Sequence, residues 1–385
     1  MRTKDAMVSS EAELDALEEP VRSAFSAFLA DADLKGTQST LLGLTFRTGG
    51  LHFAAKALEF VPKDVDLIVA GTCLTSSEIS FLKSTGRPVF NSSHRYDNEL
   101  LYEMLMSNTT GPFGWVDADC FVLNPAVWES LLSPMDNEVG AKTAFTYDPL
   151  GFAKSVLVVF SSRAREVLVA ERTTLNSYAL KPTNVGRAAP HSISRILQDR
   201  HLHHLMKILG TTSDGELQPH DGLLDIFANG RTVNTRKRQQ TKQWFGPNVE
   251  RAGWLIDTPM MAEVVLRANG LNTTRVIASN KEITQDVIHV GASSYRERMR
   301  QEGASKSYVA RFRLTDLFEV LLADELVERG VVGGYGELSR AQKHRLLEEL
   351  GIGADEIKLT ARSLLEEHGV STKSLEDNPC FGFLF

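Results

Sequence analysis

Cysteine is scarce in this chain and scattered. Three occur in 385 residues, Cys73, Cys120 and Cys380, an odd number with no short spacing between them. They supply neither a disulfide framework nor a zinc-binding pattern, so a reducing compartment and a cytoplasmic location are expected. Long apolar runs are missing too. The longest, residues 156–160, falls far short of the roughly 20 residues that span a bilayer, and no membrane span is expected. Residues 1–20 are polar and acidic, without the apolar centre of a secretory signal. Nor is there an excess of basic charge. The net charge of −7 argues against a nucleic-acid partner, because a phosphate backbone asks for a basic face.

What is present is enough for a large core. Hydrophobic residues make up 42% of the chain, and its length suits two domains or one α/β domain with an extension. Residues 11–30 place Leu14, Leu17, Val21, Phe25, Phe28 and Leu29 at helical spacing, so a helix is expected on the outside of the first domain. Residues 41–46 read as a short apolar strand, ended by Arg47-Thr48-Gly49-Gly50, and a helix follows to about Phe60. A second buried strand covers 65–70. The next helix, 75–84, opens on Thr75 or Ser76 with Glu78 in its first turn. A third strand at 87–90, a helix at 98–106 and a fourth strand at 113–116 complete the series. Such alternation argues for a parallel sheet with helices on its faces, in which ligands bind at the carboxyl ends of the strands.

The fourth strand runs into Asp117-Ala118-Asp119, and apolar residues resume at Cys120. On extended backbone, positions i and i+2 point to the same side. Two carboxylates side by side next to a buried strand are costly unless a cation lies between them. Oxygen ligands favour a hard divalent ion, Mg²⁺ or Mn²⁺. Downstream, Asp221 stands in Pro219-His220-Asp221-Gly222 before an apolar helix, and His289 stands in Val287-Ile288-His289-Val290-Gly291. Each also has a plain structural role open to it: a polar strand end for the acidic pair, an N-cap for Asp221, a satisfied core histidine for His289. On the helix expected around them, His201 and His204 share one face while Asp199 and His203 share another, so these candidate ligands do not converge. Residues 231–242 are basic and read as a solvated loop or a lid, with Trp244 beside them.

The strand–helix series ending in Asp117-Ala118-Asp119, with the acidic motif at 218–224 and the histidine strand at 288–291, resembles the nucleotide-binding half of a GT-A-fold glycosyltransferase with its DXD motif. The resemblance covers roughly residues 40–300. It implies an α/β, GT-A-like (Rossmann-like) mixed and mostly parallel sheet with helices on both faces. It further implies a metal-dependent transfer of a sugar from a nucleotide diphosphate donor to a hydroxyl of a small molecule, glycan or peptide. By the same resemblance Asp119 ligates Mn²⁺ or Mg²⁺ directly, while Asp117 reaches the ribose or the metal through water. His289 is the third ligand, and its imidazole suits Mn²⁺ better than Mg²⁺. Phe46, Arg47, His94 and Arg95 lie where the family meets the nucleobase and ribose, with surface solvation and a polar loop as their other readings. Asp221 would face the acceptor, as the general base if the enzyme inverts.

The sequence departs from the family at one point. A retaining subgroup follows its histidine with glycine at the third position and lysine at the sixth. Here glycine comes two residues after His289, and the nearest basic residue is Arg296, the remaining candidate for the diphosphate.

The expected domains are an N-terminal helical segment at 1–35, a catalytic domain at 36–303 and a small helical C-terminal domain at 304–385. The apolar tail, residues 380–385, is expected to dock on the body or on a second copy, making a homo-oligomer. Two rivals stand beside this reading. A sugar-nucleotide nucleotidyltransferase would show a Gly-rich basic loop after its first strand, of which Arg47-Thr48-Gly49-Gly50 is a feeble version. A non-catalytic assembly protein on a degenerate transferase fold would not need Asp117, Asp119 and His289.

Overall fold

A computed structural model describes residues 11–32, 34, 39–47, 49–93, 98–147, 151–173, 175, 178–180, 254–256, 259–291, 313–331 and 340–385. The first half alternates as the sequence implies. Helix α1 (Glu11–Asp31) precedes β1 (Leu41–Arg47), α2 (Leu51–Phe60), β2 (Asp66–Thr72), α3 (Ser76–Ser84), β3 (Val89–Ser92), α4 (Asn98–Asn108), β4 (Phe113–Asp117) and β5 (Cys120–Val122). After α5 (Pro125–Leu132) come β6 (Val139–Thr143), β7 (Thr146–Tyr147), β8 (Phe152–Ala153), β9 (Leu157–Phe160), α6 (Ser162–Ala170) and β10 (Tyr178–Leu180). Later elements are β11 (Trp254–Ile256), α7 (Met260–Ala268), β12 (Asn272–Arg275) and β13 (Val287–His289). Four helices close the chain, α8 (Arg313–Glu328), α9 (Arg340–Glu349), α10 (Ile357–Glu367) and α11 (Thr372–Glu376), followed by a 3₁₀ segment, Pro379–Leu384.

Seven strands form one sheet in the order β12-β6-β9-β4-β1-β2-β3. It is mixed and mostly parallel: β2 runs parallel to β3 and β12 to β6, while β6 and β9 are antiparallel. The expected α/β class is therefore present. β4, which leads into the acidic pair, is the central strand, and β9 is its neighbour. The histidine strand, β13, lies outside the seven-stranded sheet and pairs with β5 as an antiparallel ribbon.

The described residues fall into two compact units. The first lies within Met1–Gly43, His94–Trp115 and Leu131–Ala278. Here Val21 and Phe25 are buried on α1, and Arg22 reaches Glu103 of α4 at 2.7 Å. Trp115 stacks on Tyr102 with ring centroids 3.9 Å apart, and its indole N–H donates to the Ser155 carbonyl at 2.8 Å. Gly114 has no substitute, since a Cβ there would lie 2.1 Å from the Val158 carbonyl oxygen. A side chain on that strand would push β4 off β9.

The second unit lies within Leu44–Ser93, Val116–Ser130 and Ser279–Phe385. β2 is buried at every position, the mark of a strand covered on both faces. α3 carries a capping box between Thr75 and Glu78, as its sequence implies. β3 starts two residues later than its apolar pattern suggests. Arg87 instead donates to the carbonyls of Val65 and Pro62, at 2.5 and 2.7 Å, and so closes the turn before β2. α8 is buried from Leu314 to Ala323, which makes it a core helix. The apolar tail docks on this unit: Phe381 meets Phe60, Phe383 meets Phe318, and Lys56 donates to the Cys380 carbonyl at 3.0 Å.

Candidate metal centre

Three of the residues singled out in the sequence come together. Asp117, Asp119 and His289 each offer a ligand atom, and these atoms lie within 4.8 Å of one another. His289 Nε2 is 3.4 Å from Asp119 Oδ1 and 3.9 Å from Asp117 Oδ2. All three belong to the second unit.

The convergence has a different cause from the one expected. Asp117 is the last residue of β4, but Ala118 and Asp119 form a turn, so the side-by-side geometry of extended backbone does not apply. The ribbon brings the groups together instead. β5 leaves the turn and pairs with β13, with Cys120 opposite His289. The Val290 amide donates to the Asp119 carbonyl at 3.2 Å. Backbone pairing therefore brings a residue from 170 positions downstream against the acidic turn. The ribbon's far end is fastened by Asn124, whose side-chain amide donates to Asp286 Oδ1 at 2.8 Å. Past His289 the chain turns at Gly291, whose φ of +73° suits glycine. The buried Thr315 of α8 donates there to the carbonyls of Val290 and Gly291, at 2.8 and 3.1 Å.

A fourth side chain joins the group, and the sequence reading missed it. Glu282 Oε2 lies 3.2 Å from His289 Nδ1, and the His289 amide donates to the Glu282 carbonyl at 2.7 Å. Only the fold places it there: Ile283 and Ile288 bridge across a tight turn, so residues 282 and 289 close one hairpin. Electrostatics reflect the crowd of carboxylates. Burial works against a charge on His289, yet Asp119 and Glu282 outweigh it and hold the imidazole well above the usual histidine range. Burial, with Asp117 and Asp119 behind it, pushes the Cys120 thiol well up, so it is inert there.

The donor set fits a divalent ion. Two carboxylates and one imidazole nitrogen suit Mn²⁺ or Mg²⁺, and the second imidazole nitrogen is engaged by Glu282, as in metal-bound histidines generally. Asp119 is nearly buried, with a side-chain exposure of 7%, against 24% for Asp117.

Of the other named residues, Phe46 is buried in β1. Arg47 closes that strand, and its side chain lies outside what the structure describes. His94, Arg95, Asp221 and Arg296 lie outside the described residues, as do His201, His203, His204, the basic stretch 231–242 and Trp244.

Residues 16–165 match the family model of the StrH glycosyltransferase N-terminal domain. This match covers the first strand–helix series and less than half of the chain, and it likens that part to a glycosyltransferase domain. Among characterised proteins it is similar to the dTDP-dihydrostreptose–streptidine-6-phosphate dihydrostreptosyltransferase of Streptomyces griseus. The two are 25% identical over 262 residues, which cover 66% of this chain and 67% of that one. Solved structures with partial likeness include glucosyl-3-phosphoglycerate synthase from Mycobacterium tuberculosis in complex with Mn²⁺, uridine diphosphate and phosphoglyceric acid. It is 13% identical over 51% of this chain and 70% of its own, with a TM-score of 0.28. A cytidylyltransferase from Leptospira borgpetersenii is 12% identical with a TM-score of 0.25, and covers 34% of this chain and 64% of its own. Superpositions this partial bear on neither ligand nor reaction. No described helix is long and apolar enough to cross a membrane.

Proposed function

We propose that this glycosyltransferase depends on a divalent metal and moves a sugar from a nucleotide diphosphate donor to an acceptor hydroxyl. The observation that carries the metal part is the meeting of Asp117, Asp119 and His289 within 4.8 Å. The donor part is supported by the dTDP-sugar transferase that the chain resembles at 25% identity. A dTDP-linked sugar is accordingly the first donor to test.

As the glycosidic bond breaks, negative charge gathers on the leaving diphosphate. A bound Mn²⁺ or Mg²⁺ supplies Lewis-acid stabilisation of that charge without a proton transfer. The chain's own residues do the rest. Asp119 and His289, the less exposed pair, hold the ion. Asp117 stands toward the donor, to take a ribose hydroxyl or a water on the ion. Thr315 keeps the backbone after His289 in place by its bonds to two carbonyls, so the centre need not reorganise when the donor arrives. Arg296, Arg47, His94, Arg95 and Phe46 are assigned to the diphosphate, ribose and base. Asp221 is assigned to the acceptor hydroxyl, whose proton a base must take if the enzyme inverts.

The test is a thermal-shift screen of dTDP- and UDP-sugars with and without Mn²⁺. A donor at a hundredfold excess over its Kd raises stability by about 2.7 kcal/mol. The shift is expected only with metal, and is expected to vanish in Asp119→Ala. A donor that stabilises the protein equally in EDTA sinks the metal dependence. If no nucleotide sugar stabilises it at all, the donor assignment falls.

A further inference from the structure

We infer that Glu282 is a positioning residue for the metal centre: it holds the His289 ring with Nδ1 as donor, so that Nε2 keeps its lone pair for the ion. The inference rests on the metal-dependent reading above. The two ring nitrogens point to opposite sides, and the structure divides them. Nδ1 lies 3.2 Å from Glu282 Oε2, whereas Nε2 lies 3.4 Å from Asp119 and 3.9 Å from Asp117. Glu282 is therefore on the wrong side of the ring to be a fourth ligand.

A neutral imidazole carries one proton, on either nitrogen. If Nε2 held it, an N–H would point at the ion and no lone pair would be available. A carboxylate at Nδ1 selects the other tautomer and raises the basicity of the ligating nitrogen. Glu282 is well placed to act steadily. Its own carbonyl accepts the His289 amide at 2.7 Å, so backbone and side chain grip the same residue across one hairpin. That backbone bond survives any substitution at 282, which separates ring orientation from hairpin formation.

The experiment measures Mn²⁺ binding to the full chain, without donor, by electron paramagnetic resonance of the free ion. Wild type, Glu282→Ala, Glu282→Gln and Asp119→Ala are compared, with melting temperatures as the control for folding. Glu282→Ala is expected to weaken Mn²⁺ binding about 10- to 100-fold, the usual cost of removing such an outer partner. Glu282→Gln keeps an acceptor for Nδ1–H and is expected to recover most of the loss. Long-range ¹H–¹⁵N spectra of the Mg²⁺-loaded wild type are expected to show the His289 proton on Nδ1. This spectrum decides the matter without a variant, should Glu282→Ala fail to fold. Wild-type binding that depends on Asp119, with Glu282→Ala unchanged or the proton found on Nε2, overturns the role of Glu282 alone. A wild type that binds no divalent ion, or one whose binding is indifferent to Asp119, overturns the metal reading and this inference with it.

Discussion

Two buried acidic groups, one in each compact unit, are built in opposite ways. In the first unit Glu263 of α7 is wholly buried. It accepts from the Ala153 amide and the Thr273 hydroxyl, with Arg267 3.9 Å away. One carboxylate there is matched by donors from its own unit, and burial still pushes its pKa up to about 7. In the second unit Asp117, Asp119 and Glu282 gather around the single imidazole of His289. Among these four side chains, three negative charges face at most one positive. A protein stabilises a lone buried acid by supplying hydrogen bonds or by letting it take a proton. Three acids about one histidine are the grouping on which the proposed cation site rests. The contrast sets a carboxylate that ties elements together against carboxylates proposed to hold a ligand.

The sharpest way to break this contrast is Asp119→Asn. It keeps the shape and removes one charge. Turnover with a dTDP-sugar is expected to fall about 10²- to 10³-fold, the range typical of losing one electrostatic contact to the leaving group. Its chemical-denaturation midpoint is expected to hold or rise, because like charges are relieved. A clear loss of stability would make the acidic turn structural, as Glu263 is.

Glu263 gives the next largest effect, and in the opposite sense. Its folded-state pKa of about 7 lies above the ordinary glutamate value of 4.5, so the folded chain binds the proton more tightly than the unfolded chain. The resulting stability is complete below pH about 4.5 and is lost as pH rises toward 7, by on the order of 3 kcal/mol. Urea unfolding at stepped pH measures the slope, and Glu263→Gln is expected to flatten it. The Thr273 hydroxyl can turn from donor to acceptor as the acid takes its proton, so the bond persists in both states.

Thr315→Val is the mildest of the three. It removes the hydroxyl that binds the carbonyls of Val290 and Gly291 and is expected to cost about 1 kcal/mol in urea unfolding. Mn²⁺ affinity is expected to fall with it, because the backbone after His289 is released. A stability loss with unchanged Mn²⁺ binding would confine α8 to packing.

The alternation of strands and helices was legible because each element has its own period: β2 carries the apolar run Leu67-Ile68-Val69-Ala70, and Thr75 with Glu78 announces α3. Arg87 misled, because an arginine next to an apolar pair reads as a strand start. Its guanidinium serves instead as a clamp on a turn, which only packing could reveal. Asp117 and Asp119 stood out for their chemistry, yet the reason given for their meeting was the wrong one. Glu282 carried no mark at all, since a single glutamate in a polar stretch looks like solvated surface.

The amino-acid order alone determined the elements of the first half, the class of the sheet, the two aspartates and the histidine that could hold a metal. These depend on local periodicity and on residue chemistry, which a linear chain displays. Tertiary structure alone decided that Asp119 sits in a turn, that β13 leaves the main sheet to pair with β5, and that Glu282 stands behind His289. Those facts follow from hydrogen bonds between residues far apart in sequence, and no local pattern records which distant strands will pair.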